Sequence, residues 1–187
     1  MSVTVNAGDL LIAPPNMLDP RFKSSVILIT HHDPDMSLGL CLNKVTEHTL
    51  SSILEPFNFE LDRDPEIYWG GPVAQNTVWM LHDHSWRVEN TLRVNNDWAV
   101  TSHHQMFHLM SEGNWPERFR IMIGHAGWAP GQLEREVLGQ EPWDHNHSWL
   151  IAGDPDPEWI LGCEPDQMWS MACSFCGQRA VDSWLAS

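Results

Sequence analysis

Basic residues are scarce in this chain. Ten Lys and Arg stand against 25 Asp and Glu, a formal net charge of −15 over 187 residues, and the ten form no cluster. A surface of that sign repels phosphate backbones and anionic lipid. It excludes a basic nucleic-acid-binding stripe and a polybasic membrane anchor as the basis of function. Long apolar runs are missing too. Stretches such as Val26 to Ile29 are short, against the roughly 20 residues that a membrane-spanning helix needs. Met1 to Gly8 has neither the basic n-region nor the apolar h-region of a secretory signal. Without that signal, the four Cys are expected to be reduced thiols in the cytoplasm. Tyrosine is nearly absent, one residue, whereas there are 11 Trp. Trp supplies large buried area with a single donor to satisfy, so a Trp-heavy core with some half-exposed rings is expected.

The usual catalytic signatures are also absent. There is no Walker or G-x-G-x-x-G spacing, no H-E-x-x-H and no G-x-S-x-G elbow. Histidines come in pairs: His31-His32, His82-x-His84, His104-x-x-x-His108 and His145-x-His147. A helical pair such as His104 and His108 can share a metal. Zinc, however, needs three or four converging ligands, so neither a metal nor any other cofactor is expected. Cys173-x-x-Cys176 is a C-x-x-C, but it falls late in an expected helix rather than at a helix start following a strand. A redox sensor built on it is therefore a minor hypothesis. Cys41 sits in an expected strand and reads as a small buried hydrophobe.

What is present is a mixture of short strands and helices. Asp9 to Ala13 reads as a strand stopped by Pro14-Pro15, and Ser25 to Thr30, rich in β-branched residues, as a central strand. Asp33-Pro34-Asp35 should turn the chain into a strand over Leu38 to Leu42. Thr49 to Leu54 suits a short helix, and Ile67 to Trp69 runs into a bend at Gly70-Gly71-Pro72. Val78 to His82 reads as a strand, with Arg87 to Val94 as its expected partner, followed by a short strand at Trp98 to Val100. Ser102 and Gln105 form a capping-box pattern ahead of a helix with Met106, Phe107, Leu109 and Met110 on its apolar face and Gly113 at its end. Ser148 to Ala152 should be a strand, and Glu158 to Gly162 and Pro165 to Gln178 helices. Because strands and helices do not strictly alternate, the expected class is α+β: a mixed β-sheet flanked by helices. One domain over 1–187 is expected, with a small additional lobe as the alternative.

The most informative stretch is Gly124-His125-Ala126-Gly127-Trp128-Ala129-Pro130-Gly131-Gln132-Leu133-Glu134-Arg135-Glu136. Phe119 to Ile123 reads as a buried strand leaving through Gly124. A turn rich in Gly, Trp and Pro is expected next, then a helix from Gln132, with Pro130 in its first turn and Gly139 as its C-terminal cap. This strand-loop-helix resembles the signature of the YqgE/AlgH family, small bacterial proteins of unsettled biochemical function. The likeness continues through Gly8 to Ala13, Gly39-Leu40 with Leu42-Asn43-Lys44, Gly70-Gly71-Pro72-Val73 and, loosely, Trp143, Trp169 and Ala172, covering about residues 8–176. The family usually has Tyr where this chain has His125. Some members are described as transcriptional regulators. The resemblance implies that label, whereas the charge argues against direct DNA contact, so regulation would run through a protein partner.

A candidate site follows from the two glycine turns. If Asn43, Gly70, Gly71, His125, Gly127, Trp128 and Gly131 meet around one cleft, the free N–H groups at the helix start would favour a phosphate or carboxylate, with Trp128 as a wall. The alternative is that these glycines only let the backbone turn and pack. Residues 132–178 carry nine acidic side chains and Arg135 as their single basic one. They read as a solvated face, Glu134 and Glu136 included, or alternatively as a docking surface for a basic partner. The expected function is therefore non-catalytic binding or regulation. The alternative is a small-molecule or metal-dependent enzyme at the cleft between the glycine turns.

Overall fold

The computed structural model describes residues 4–142 and 147–185, with side chains described up to residue 177. Among these residues ten strands join in one mixed sheet. They are β1 (Leu10–Ile12), β2 (Val26–His32), β3 (Ser37–Cys41), β4 (Val45–Thr49), β5 (Glu66–Trp69), β6 (Val73–His82), β7 (Leu92–Arg93), β8 (Ala99–Thr101), β9 (Phe119–Trp128) and β10 (Leu150–Ala152). The main path runs β10-β1-β2-β3-β9-β6-β8-β7, with β5 joined to β9 and β4 to β5. The pairing of β5 with β9 is parallel and the other pairings are antiparallel. Five helices flank the sheet: α1 (Leu50–Leu54), α2 (Gln105–Ser111), α3 (Gln132–Leu138), α4 (Pro157–Gly162) and α5 (Pro165–Leu185). The α+β class with a mixed sheet is the class read from the sequence.

The continuous apolar runs of β1 and β2 have a simple cause: both faces of that half of the sheet are covered. Leu10, Ile12, Val26 and Leu28 pack into a cluster with Met168 and Ala172 of α5. The alternate residues Leu11, Ile27 and Ile29 pack on the other face with Leu133 of α3, Trp128 and Trp149. The indole of Trp169 ties α5 down by donating to the Ala13 carbonyl at 2.8 Å. The β2–β3 turn forms as expected, with Asp33 Oδ1 accepting from the backbone N–H groups of Asp35 and Met36.

β9 differs from its expected form. The strand does not end at Gly124 but continues through His125, Ala126 and Gly127 to Trp128. Before Gly124 its neighbours are β5 and β6; after it, β3 takes the place of β5. Gly124, at φ +71°, is the bend at which one strand passes from one set of partners to the other. A sequence of Gly, Trp and Pro mimics a loop because a bend of this kind needs the same residues.

Four smaller expectations are corrected. β4 was not expected: its sequence, VTEHT, is polar and largely exposed, so it carries no core-facing alternation. Of Arg87 to Val94 only Leu92–Arg93 is strand, and it pairs with β8, not β6. Ser102 caps nothing: α2 begins at Gln105 with His104 at the N-cap position and no side-chain cap. Pro130 lies one residue before the N-cap Gly131 rather than inside α3, whereas Gly139 does close that helix, at φ +61°. Trp143 and His145 lie outside the described residues.

The Trp-heavy core is present. Trp98, Trp86, Trp128 and Trp149 are buried. A third cluster, under α1 and α2, contains Leu50, Leu54, Met106 and Met110. Beside it His82, fully buried, sits in a chain of hydrogen bonds. Its Nδ1 meets the Asp83 carbonyl at 2.7 Å, so it carries the proton, and Nε2 accepts from Thr101 Oγ1 at 2.9 Å. Thr101 in turn accepts from Thr91, which accepts from the Val88 N–H. The chain fits neutral imidazole, and burial, the largest cause, holds the His82 pKa below its ordinary value, as burial does for His125. A histidine whose folded-state pKa is depressed contributes stability above the unfolded pKa of about 6.5 and loses it as pH falls through that value toward the folded one. The urea midpoint should therefore drop from about pH 7.5 to 5.5. His82→Gln, which keeps a donor and an acceptor, should flatten part of that slope. An unchanged slope in the variant contradicts the assignment.

Candidate functional site

Trp128, the last residue of β9, and the start of α3 are separated by three residues. Gly131 adopts φ +68° as the N-cap and aims the helix back along the sheet. Gln132 and Glu136 are then one turn apart on one helix face, directed at Trp128. The Ala129 N–H donates to Gln132 Oε1 at 3.0 Å, which orients the amide, and Gln132 Nε2 donates to Glu136 Oε1 at 2.8 Å. Trp128 Nε1 donates to Glu136 Oε2 at 3.0 Å and Trp149 Nε1 to the same oxygen at 2.8 Å. Glu136 is only 8% exposed. Its three partners all donate N–H, and both carboxylate oxygens accept.

Around this network lies a cavity of about 500 Å³, within the size range of small-molecule sites, about 300–1,000 Å³. Its walls include Met17, Phe22, Trp128 and Trp149, with Asp19, Arg21 and Glu136 as charged residues and His147 at the same wall. The rings meet edge to face. Trp128 and Trp149 lie 6.4 Å apart at 79°, and Phe22 and Trp149 5.7 Å apart at 73°. Arg21 grips Asp19 through Nε at 3.0 Å and NH2 at 2.6 Å, and this holds the Asp19 carboxyl below its ordinary pKa.

Of the residues named from sequence, Gly127 and Trp128 line this cavity; the others do not. Asn43 is a brace: its Oδ1 accepts from the Val26 N–H and its Nδ2 donates to the Ser24 carbonyl, both at 2.9 Å. Gly70 and Gly71 pack against β9 backbone. A Cβ on Gly70 would lie 2.3 Å from the Gly124 carbonyl oxygen, and one on Gly71 2.1 Å from the His125 carbonyl carbon. The two glycine turns are thus closed on each other, and the cavity lies beside them. His125 packs its ring on Trp79, 5.8 Å away at 74°, with Nδ1 buried and without a hydrogen-bond partner. Gly131 shapes the helix entry. The walls also oppose the expected anion, since Asp19 and Glu136 both face it and Arg21 is held by Asp19.

Sequence reasoning missed Glu136, Gln132, Phe22 and Trp149. Glu136 is buried, not part of a solvated face, whereas Glu134 lies on another side of α3 with an oxygen 3.4 Å from His32 Nε2. The four-residue steps Trp128, Gln132, Glu136 were the available signal.

Three further features bear on the alternative chemistries. Among the described residues no three His, Cys, Asp or Glu side chains converge to hold a metal. His82 is buried and His84 exposed, so that pair does not act together. Cys41 is pushed up to about 11 by burial, and burial raises Cys173 too. Both shifts run against the lowered pKa of a reactive thiol. No described helix is long and apolar enough to cross a membrane.

A continuous mixed sheet with covered faces and an aromatic cavity at the strand-to-helix turn defines the class: an α+β sheet protein whose signature loop builds a pocket. The chain belongs to the AlgH-like family, whose profile matches residues 10–181. A UPF0301 protein of Sphingopyxis alaskensis is 34% identical over 152 residues, 80% of this chain and 78% of that one. One from Azoarcus is 36% identical over 137 residues, 71% and 72% of the two chains. The solution structure of AlgH from Pseudomonas aeruginosa superposes with a TM-score of 0.73 at 27% identity, covering 93% of this chain and 92% of that one. A crystal structure from Corynebacterium diphtheriae shares the fold, with a TM-score of 0.69 at 23% identity over 92% and 87% of the two chains.

Proposed function

We propose that this is a non-catalytic binding or regulatory protein whose working site is the aromatic cavity around Glu136. The observation that carries this reading is the use to which the carboxylate is put. Three donors occupy both of its oxygens, so it fixes two indole walls in place rather than standing free to move a proton. An aromatic-walled space that also carries polar groups to orient a ligand is a common form of small-molecule site. A thermal-shift screen of small metabolites against wild type and Phe22→Ala tests it. Ligands that raise the melting temperature of the wild type should lose most of that effect in the variant. Hits that stabilise both proteins equally, or that the protein converts chemically, overturn the reading.

Any role in transcription runs through a protein partner. The charge of −15 supports this, because the chain has no basic stripe from which to release counterions. A salt-dependent mobility shift with random-sequence duplex at micromolar protein is the result that contradicts it. The compartment is the cytoplasm, a placement supported by the lack of a disulfide among the described cysteines.

A further inference from the structure

We propose that the cavity binds a small organic cation, an alkylated ammonium in particular. The inference rests on the cavity being the binding site and adds the sign and shape of its ligand.

Glu136 supplies the charge. A carboxylate this buried is normally paired with a cation, because three neutral donors do not balance its charge. Among the described residues no Lys or Arg forms a salt bridge with it. The other wall charges, Asp19 and Arg21, neutralise each other at 2.6 Å. A carboxylate offers about four lone-pair positions. Two on Oε2 and one on Oε1 are taken, which leaves one on Oε1, and Glu136 lines the cavity.

The rings supply the shape. Trp128, Trp149 and Phe22 succeed one another at steep angles, 79° and then 73°, so they form the sides of a corner rather than a stack. Both indoles are pinned by their N–H groups to the same carboxylate oxygen. The indole edges are thereby held on the negative charge, which fixes the orientation of both rings at the cavity wall. Ring faces so arranged attract a cation through their quadrupoles, and alkylated ammonium is the best match because it needs no hydrogen bonds and offers methyl groups to the rings. The same aromatic group already carries cations. Arg21 lies 5.9 Å from the Phe22 ring centre, and Lys44 Nζ lies 5.8 Å from that of Trp69, which itself packs on Phe22.

Calorimetric titration with three compounds of one shape provides the test: choline, its neutral isostere with carbon in place of nitrogen, and the matching carboxylate anion. Choline should bind at least about tenfold more tightly than the neutral compound, and the anion should give no heat. Glu136→Gln should remove most of that preference. Because this variant loosens the walls, Phe22→Leu serves as the second. It keeps the apolar bulk but not the ring, so choline should weaken several-fold while the neutral isostere is unchanged. Equal binding of choline and the neutral compound overturns the cation inference and leaves the cavity as a site. Silence from all three compounds also overturns it. If the metabolite screen then still yields hits lost in Phe22→Ala, the cavity remains the binding site. If it yields none, that reading fails as well.

Discussion

Gly71→Ala should leave the chain unable to fold. The added Cβ would sit 2.1 Å from the carbonyl carbon of His125, 2.2 Å from its oxygen and 2.3 Å from the Ala126 nitrogen. All three are backbone atoms of β9, which pairs with β3, β5 and β6 and cannot withdraw from one without losing register with the others. Gly71 also has φ +156°, where a side chain is strained whatever the space. A cost above about 4 kcal/mol is typical of such backbone conflicts, a large part of the about 5–15 kcal/mol that holds a domain folded. The variant should accumulate as insoluble protein or show no cooperative thermal transition. Gly127→Ala is the control. It lies in the same strand, and its Cβ would meet only Leu38 Cδ2, at 3.9 Å. It should match the wild type or exceed it by about 0.5 kcal/mol, since Ala costs less chain entropy than Gly. A soluble Gly71→Ala protein with an unchanged melting temperature contradicts the packing described for the two glycine turns.

Glu136→Ala should cost about 2–5 kcal/mol without preventing folding. Two buried indole N–H groups would lose their acceptor, each at about 1–3 kcal/mol, and the Gln132 amide would lose its partner. Glu136→Gln should cost less, because one carbonyl oxygen remains to accept from the indoles. Urea unfolding at neutral pH measures the difference as a fall in midpoint at constant slope. The indole proton resonances of Trp128 and Trp149 give an independent signal. Both should move upfield in the alanine variant, because a hydrogen bond to a charged acceptor is lost. A midpoint within error of wild type, with both resonances in place, rules out the network.

These two predictions draw on different sources. The glycines were visible in the chain as Gly70-Gly71-Pro72 and Gly124, both read as bends at strand ends, and they are bends. Their mutual closure was not visible, because it depends on β9 continuing past Gly124 to lie beside β6 and β3. The strands β1, β2, β3 and β6 and the C-terminal cap of α3 were legible because each answers to a local rule: β-branched runs, a flanking Pro pair, a Gly after the last helical turn. β4 was not, because a polar edge strand obeys no burial pattern. Ser102 and Gln105 satisfied a capping rule that the backbone does not use, since the helix starts three residues later.

The charge and the ordered glycine, tryptophan and proline blocks are properties of the chain in one dimension; the blocks were enough to suggest the family, and the mixture of strand and helix patterns the α+β class. The site was another matter. Trp128 and Gly127 could be named, but Glu136 looked like any acidic residue near a helix start, where water normally keeps it. The cavity around it is created by five segments that meet only in the folded protein: Met17 to Phe22, Pro72 and Val73, the end of β9, the first turns of α3, and the stretch through Trp149 ahead of β10. A carboxylate is classed as solvated or buried by what surrounds it, and here the second indole arrives from thirteen residues further along the chain. Local patterns report how a segment pairs and turns. The sign and shape of a cavity are set by which distant side chains the completed sheet brings together.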